Sequence, residues 1–472
     1  MIQKTYTLLT LIAVVLCLNS RPISAAKPSK DVLPASTKFS LSIGKGQDFN
    51  DRLATTQLGQ MAADPALKPF LDDLPRQMRN QASDHPLAAL RIDLGVDSAD
   101  LNNLSEGEVA WALVHPEGMT PSRVLMADVT SRQEQVDELL EKVSASMSEL
   151  KATKAESTVD GTSVTVFDIP ASANLSARKL AFFQQADQLV FAETDAAIRV
   201  LLKNLSNDDS TDTLSNQVGY QEVVKQCQQR AGDESPDAIV FLVPIDLSDA
   251  MRQLSPKQDE RADESVLVAR KHNFDAISAV GGFLTVGRGA FDFHIRIAIH
   301  APQPWKNGMR SFRFPNTKMV PPTWVRGDNS GFTLINIDFT QFAKYFGPLF
   351  DDTYGEGEEG LYDDLKNTML EDPDGPQIDV DKEIFARLSP QTTLLARDTL
   401  PVTPDSPQRL IAFSTSDEAA LKAVVKKVLE SDPNSEAQNV AGQEVFFSYM
   451  EEEDDFGSAP AAEDVNPVSY TH

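Results

Sequence analysis

The sequence predicts an α+β fold: antiparallel sheets with helices on one face, built as two related units flanking a middle segment that contains a β-hairpin. Three observations lead there. Arg123–Phe167 reads strand, helix, strand (RVLMADV, SRQEQVDELLEKVSASMSEL, STVDGTSVTVF). Arg409–Ser448 repeats that order (RLIAFS, TSDEAALKAVVKKVLES, QNVAGQEVFFS). Between them, Gly282–Gly287 and Ala290–His300 carry the signature of a hairpin, with apolar and polar residues alternating along the second strand at a period of two.

The 472 residues then divide into a signal peptide (1–26), a first α+β unit (27–205), a middle segment with the long hairpin (206–326), a second unit that is an incomplete copy (327–450) and a disordered acidic tail (451–472). The N-terminus is an address. Lys4 precedes the apolar run Tyr6–Leu18, which is too short to span a bilayer, and Ser24-Ala25-Ala26 offers small residues for cleavage after Ala26. The chain is expected to be exported to the periplasm, the cell surface or the medium. After cleavage it is not expected to be an integral membrane protein, since no later run is long and apolar enough.

In chain order, Lys27–Ser36 reads as a polar leader and Lys38–Ile43 as a strand. Asp48–Gln60 and Pro65–Gln81 have helical spacing, the latter with Phe70, Leu71, Leu74 and Met78 on one face. Ile92-Asp93-Leu94 leads into a short helix over Ser98–Leu104, with Ser98 as its N-cap. Glu108–Val114 and Arg123–Val129 are strands. Ser131 and Glu134 have the spacing of a capping box, and Val136, Leu139, Leu140, Val143 and Met147 form the stripe of the helix that follows. Asp160-Gly161 marks a tight turn into the strand Val164–Ile169. Leu180–Gln184 and Gln188–Glu193 form a hairpin, and Thr194 or Asp195 caps a helix ending at Leu205.

In the middle segment Asp237–Val243 reads as a strand and Asp246–Leu254 and Ala269–Ala279 as helices. Along the hairpin's second strand, Phe291, Phe293, Ile295, Ile297 and Ile299 share one face, and Asp292, His294, Arg296 and His300 the other. The expectation is that the apolar face is the buried one. Gly331–Asp338 is a strand, Asp338–Phe350 a helix, Asp351–Gly360 an acidic loop, and Leu361–Leu370 a helix broken by Asp372-Pro373-Asp374-Gly375-Pro376.

The formal charge is −27, from 43 basic and 70 acidic residues, and becomes −29 once Lys4 and Arg21 are removed. That balance argues against nucleic acid and anionic membranes as partners. Cleavage leaves Cys227 as the single cysteine, which excludes an intrachain disulfide and reads as a packed small residue. No H-E-x-x-H, G-x-S-x-G, P-loop or C-x-x-C is present, so no catalytic residue and no cofactor are assigned, and the chain is read as a non-enzyme. Two groups could gather a metal ion: Asp372, Asp374, Asp379 and Asp381, and Asp351, Asp352, Glu356, Glu358 and Glu359. Neither follows the spacing of a helix–loop–helix calcium site.

Asp372-Pro373-Asp374-Gly375-Pro376-x-Ile378-Asp379-Val380, then Leu400-Pro401-Val402-Thr403, then Arg409 opening a strand, together with Pro321-Pro322-x-Trp324-Val325, resemble an uncharacterised family of exported bacterial proteins. The resemblance implies locality and architecture but no activity. The expected function is a non-catalytic binding or scaffolding role at the cell envelope with an unknown ligand. The alternatives are a carrier of an apolar ligand between sheet and helices, and a hydrolase of unknown type. A protein partner is expected at an exposed edge of the second unit, which lacks the hairpin and helix that follow the corresponding strand of the first.

Overall fold

The computed structural model describes residues 26–67, 70, 90, 94–96, 100, 104–105, 107–171, 176–254, 260–288, 291–401, 403, 406–448 and 468–471. The signal peptide, most of Pro65–Gln81 and most of Ser98–Leu104 lie outside them. The described residues fall into two compact units. One runs to Val266 and includes Asp275–Gln303; the other comprises Leu267–Phe274 and the chain from Pro304.

The first unit is built on one ten-stranded sheet, antiparallel throughout. Its strands are β1 (Thr37–Ile43), β2 (Val109–Val114), β3 (Ser122–Asp128), β4 (Thr153–Val159), β5 (Thr162–Ile169), β6 (Arg178–Gln185), β7 (Gln188–Ala192), β8 (Ala238–Leu242), β9 (Ala279–Arg288) and β10 (Phe291–His300). The order across the sheet is β10-β9-β8-β1-β2-β3-β7-β6-β5-β4. The strands of the expected middle segment therefore belong to the first unit: β8 pairs with β1 and carries β9 and β10 outward. Long-range pairing decides this, and no local signal reports it.

Among the described residues, the helices of this unit with defined bounds are α1 (Ser29–Val32), α2 (Gly46–Thr55), α3 (Gln57–Ala62), α4 (Gln133–Glu149), α5 (Asp195–Ser206), α6 (Val218–Ala231) and α7 (Pro244–Leu254). They cover both faces of the sheet, not one. Val124, Met126, Val190 and Phe283 face α5 and α6 in one core. Leu125, Ala127, Leu189 and Phe191 face α4, Leu90, Leu94 and Leu104 in the other. The central strands VAWALV, RVLMAD and QLVFA are apolar at nearly every position, so each face needs its own cover.

Local chemistry explains the ends of elements. Ala186 and Asp187 both have positive φ, as the tight β6–β7 turn requires, and Asp160-Gly161 does the same between β4 and β5. Thr194 caps α5 by accepting the Ala197 N–H at 3.2 Å. The expected capping box at Ser131 does not form. Ser131 takes positive φ, and Asp128 accepts the Thr130 N–H and hydroxyl instead. The expected helix Asp48–Gln60 is divided at Thr56, which is extended and caps α3 through Gly59 N–H. The supposed leader is also part of the fold. Val32 and Leu33 are fully buried, Asn204 donates to Val32 O at 3.0 Å, and Glu108 accepts from Ser29.

In the second unit β11 (Gly331–Asn336), β12 (Leu388–Asp398) and β13 (Pro407–Thr415) form one antiparallel sheet. β14 (Ser435–Val440), β15 (Gln443–Ser448) and β16 (Val468–Thr471) form another. The expectation of a wholly disordered tail fails at Val468–Thr471, which pairs with β15. The last residues of α8 (Glu260–Lys271) belong to this unit, with α9 (Phe339–Tyr345), α10 (Gly347–Tyr354), α11 (Leu361–Glu371) and α12 (Glu418–Ser431). The helix expected over Asp338–Phe350 breaks before Gly347-Pro348, because proline fits the first turn of a new helix and not the interior of an old one. α10 then absorbs Asp351–Tyr354 of the expected acidic loop.

The order β1-β2-β3-α4-β4-β5-β6 recurs as β11-β12-β13-α12-β14-β15-β16, with the same antiparallel neighbours within each triplet. Ala441-Gly442 repeats the positive-φ turn of Asp160-Gly161. In the first unit β7 joins the two triplets by pairing with β3 and β6. Among the described residues of the second unit no strand takes that place, and the triplets remain separate sheets.

Candidate binding surface

β10 is the terminal strand of the large sheet, and its polarity is the reverse of the expected one. Phe291, Ile295, Ile297 and Ile299 are 67, 63, 55 and 58% exposed, whereas Arg296 and Ala298 between them are 8 and 3% exposed. From Ile295 to Ile299 the isoleucines look outward and Arg296 and Ala298 lie under a helix, while Phe293 is half-buried and His294 exposed. This corrects the reading of a strand with its isoleucines in the core.

The cause is the close approach of α6. A Cβ on Gly281 would lie 2.5 Å from Val223 Cγ2, and one on Gly219 would lie 2.8 Å from Ala279 Cβ. Only small residues fit at these contacts, and the isoleucines must occupy the other side. Arg296 is accommodated at the margin of the helix. It forms an ion pair with Glu234, donates to Thr285 Oγ1 at 3.1 Å and meets His294 Nδ1 at 3.0 Å. Cys227 is wholly buried among these groups, its Sγ 3.5 Å from Arg296 O, and burial pushes its thiol up from the usual value. The cysteine is a packing residue, as expected.

The outward face continues inward across the sheet. Ile295, Ile297 and Ile299 stand opposite Leu284, Gly282 and Val280 of β9, which stand opposite Ala238, Val240 and Leu242 of β8. Val240 and Leu242 in turn oppose Leu41 and Phe39 of β1. The result is an apolar strip that is open at β10 and half-buried further in. Its turn end is fixed by Asp237, which is buried and binds Arg52, Arg288 (2.8 Å) and the Val286 N–H (2.8 Å). At the sheet edge Arg230 donates to Ile297 O at 2.9 Å, so one carbonyl of the terminal strand is already occupied.

The second unit offers a related surface. β13 is the last strand of its sheet, and Leu410, Ile411 and Phe413 on it are 38, 57 and 52% exposed. Val124, Leu125 and Met126 of β3, the strand in the same place in the first unit, are at most 1% exposed.

Polar groups in the second unit look structural. His272 is buried, accepts the Gly308 N–H on Nδ1 at 3.2 Å and contacts Asp352 through Nε2 at 2.6 Å. The first contact assigns the ring proton to Nε2, so neither nitrogen is left to act as a base. Burial would raise the carboxyl of Asp352, but hydrogen bonds from Lys271 and His272 outweigh it and hold the group below the usual range.

The proposed metal candidates are not brought together. Asp379 pairs with Lys382, Asp381 with Lys366, and Asp372 accepts the N–H of Asp374, its neighbour along the turn. Asp351 is spent on the Gly360 and Tyr362 amides. Among the described residues no group of three or more His, Cys, Asp or Glu is placed to hold a metal. Among them, too, no helix is long and apolar enough to cross a membrane.

Sequence reasoning found the alternation of β10 but missed which half would be exposed. The available signal was the small-residue set Gly219, Ala279, Gly281 and Ala298, which marks where a helix lies close to a sheet. Comparison with protein-family models, with curated proteins and with solved structures finds no match to this chain.

Proposed function

We propose that this chain is an exported, non-catalytic binding protein that engages the apolar surface of a partner through the outward face of β10. The observation that carries this reading is the exposure of Phe291, Ile295, Ile297 and Ile299 along one face of a terminal strand. Fully burying an isoleucine or phenylalanine is worth about 1.5–3 kcal/mol, so four such residues more than half exposed leave several kcal/mol available to a partner. The arginine–carboxylate pairs nearby are taken up in fixing the hairpin and are not arranged around a reacting atom. The open edge of β13 is a second place for a protein partner. Export rests on the N-terminal apolar run and on the resemblance to exported bacterial proteins.

The test uses an apolar fluorescent dye such as ANS as the probe. The native protein is expected to bind it saturably, and the Ile295→Glu/Ile299→Glu variant to lose most of that binding with an unchanged circular-dichroism spectrum. Equal dye binding by the folded variant would refute the assignment. Export is tested by mass spectrometry of protein recovered from an exporting host, where the expected N-terminus is Lys27 and an intact Met1 in the mature form would count against it.

A further inference from the structure

The chain carries 70 acidic residues, yet the connection Pro304–Gly327 has none and holds five cations, Lys306, Arg310, Arg313, Lys318 and Arg326. It leads into β11 of the second unit. Apolar residues alternate with the later cations, and Phe314, Met319, Val320 and Trp324 are 56, 47, 56 and 49% exposed.

The β11–β12–β13 sheet holds this connection on one of its faces. Asn336 Nδ2 donates to Thr317 Oγ1 at 2.8 Å and to Pro315 O at 3.1 Å. The Gln391 side chain accepts the Val320 N–H at 3.3 Å and donates to Val320 O at 3.1 Å. Asn336 and Gln391 stand opposite each other across β11 and β12, so they share a face. Arg397 lies on the same side of β12, near its other end, and shares Asp328 with Arg326 at 3.9 and 3.2 Å. The connection therefore returns along this face from one end of β12 to the other. Helix α9 takes the opposite face, where Phe339 meets Phe413, the partner of Thr392.

The side that carries the connection is basic and apolar. From Gln391 to Arg397, the residues of this face on all three strands are uncharged apart from Arg397 itself. Phe332 and Leu410 both oppose Leu395 there and are 42 and 38% exposed. Arg313, Lys318, Arg326 and Arg397 are exposed. Two carboxylates stand among them. Asp328 is shared as above, and Asp338 lies 3.7 Å from Arg313 while capping α9 through the Gln341 N–H.

We propose that this face of the second unit binds peripherally to an anionic lipid surface. The cations meet headgroup phosphates, and Phe314, Met319, Val320 and Trp324 enter the interfacial layer. The proposal goes beyond the β10 surface and does not depend on it. The charge of the whole chain opposes such a partner, but charges are screened over about 8 Å at physiological ionic strength. Acids elsewhere therefore slow the approach more than they weaken the contact.

Charge complementarity calls for an anion, and the backbone favours a lipid surface over an acidic peptide. A peptide adding to this connection would need free main-chain groups. The N–H and carbonyl of Val320 are taken by Gln391, and the Pro315 and Thr317 carbonyls by Asn336. Pro315, Pro321 and Pro322 have no N–H to give. Side chains remain, and tryptophan beside lysine and arginine is the composition that settles at a membrane interface.

The experiment uses the full chain and vesicles of phosphatidylcholine, with or without an equal part of phosphatidylglycerol. Co-sedimentation is expected with the phosphatidylglycerol vesicles alone and is expected to be lost at high salt, with hydrogen exchange slowed over Arg313–Arg326. Lys318→Gln/Arg326→Gln, at exposed positions and checked by circular dichroism, is expected to weaken binding about thirtyfold. Trp324→Ser is expected to remove the blue shift of tryptophan emission that the vesicles produce. Equal binding by the Lys318→Gln/Arg326→Gln variant, or equal binding to phosphatidylcholine alone, would overturn the proposal. Binding lost in Ile295→Glu/Ile299→Glu but kept in Lys318→Gln/Arg326→Gln would assign the lipid contact to β10 and overturn it too. Polyglutamate binding that slows the same exchange, without any vesicle binding, would assign the face to an acidic protein. Slow exchange over Arg313–Arg326 without vesicles, together with a dimer in analytical ultracentrifugation, would assign it to a second copy. Either result would overturn the lipid assignment.

Discussion

Glutamate placed at Ile297 and at Ala298 should have opposite consequences to those the alternation of β10 suggests. Ile297 is 55% exposed, so less than half of its burial is realised in the folded state. Full burial of an isoleucine is worth about 1.5–3 kcal/mol, so its loss costs about 1 kcal/mol. Poorer strand propensity adds less than about 1 kcal/mol. Ile297→Glu is therefore expected to cost about 1–2 kcal/mol.

Ala298 faces the α6 core and is 3% exposed. The larger side chain at Ala298→Glu meets a packed helix, at about 1–3 kcal/mol. Its carboxylate is placed among the apolar residues of that core, and burying a charge there adds about 3–5 kcal/mol. The expected cost exceeds about 4 kcal/mol. Because the chain has two units, a single unfolding midpoint is not a safe readout. Hydrogen exchange over Ala279–His300 as a function of denaturant reads the local free energy instead. Ile297→Glu proving as damaging as Ala298→Glu would refute the reversed polarity, and with it the proposed binding surface.

Three further outcomes follow from the same geometry. Asp237→Asn keeps the shape of a buried group but removes the charge that Arg52 and Arg288 share; as the arginines are partly exposed, a loss of about 2–3 kcal/mol is expected, read by the same exchange measurement. Gly281→Ala should cost about 1–2 kcal/mol despite alanine's better strand entropy, because its Cβ would lie 2.5 Å from a stiff, β-branched Val223; a stabilised variant would show that α6 moves away freely. Asp352 is held below its usual value of 3.8, so its folded form binds a proton less tightly than the unfolded chain does. Its stabilisation of the second unit is complete above that usual value and is lost as the pH falls through the folded one. Asp352→Asn should cost about 1–2 kcal/mol at pH 7 and flatten that part of the acid limb; an unchanged limb in pH-dependent melting would refute the link.

Much of the local structure was legible because its causes are local. The Asp160-Gly161 turn, the Thr194 cap and the apolar stripe of α4 each depend on residues a few positions apart, and each stands where the sequence places it. The Ser131 capping box failed because Ser131 takes positive φ, while Asp128 ties down the Thr130 amide and hydroxyl just before it. The repeat was legible as an order of elements, yet the correspondence between its blocks shifts by one residue in the sheets. Matching Leu104 to Leu388 puts Trp111 on Leu395; their partners are Leu125 and Leu410, which matches Arg123 to Gln408 rather than to Arg409. In a strand that shift exchanges the faces, so sequence blocks alone could not say which side chains of β13 are covered. The carboxylate candidates failed for a related reason: in an acidic chain such clusters occur in sequence, and in space lysines take Asp379 and Asp381.

The sequence by itself determined the periodicity of each segment, and so its type: helix over Gln133–Glu149, two faces of unlike polarity on β10, two apolar faces on β3 and β7. Only the tertiary structure decided that β8 lies beside β1, that helices cover both faces of the sheet, and that the isoleucines of β10 point outward. Alternation states that two faces differ but not which one a distant helix will cover. That choice was made where α6 meets Gly281 and Ala298, residues separated in sequence by most of a hairpin and brought together only when the sheet is assembled.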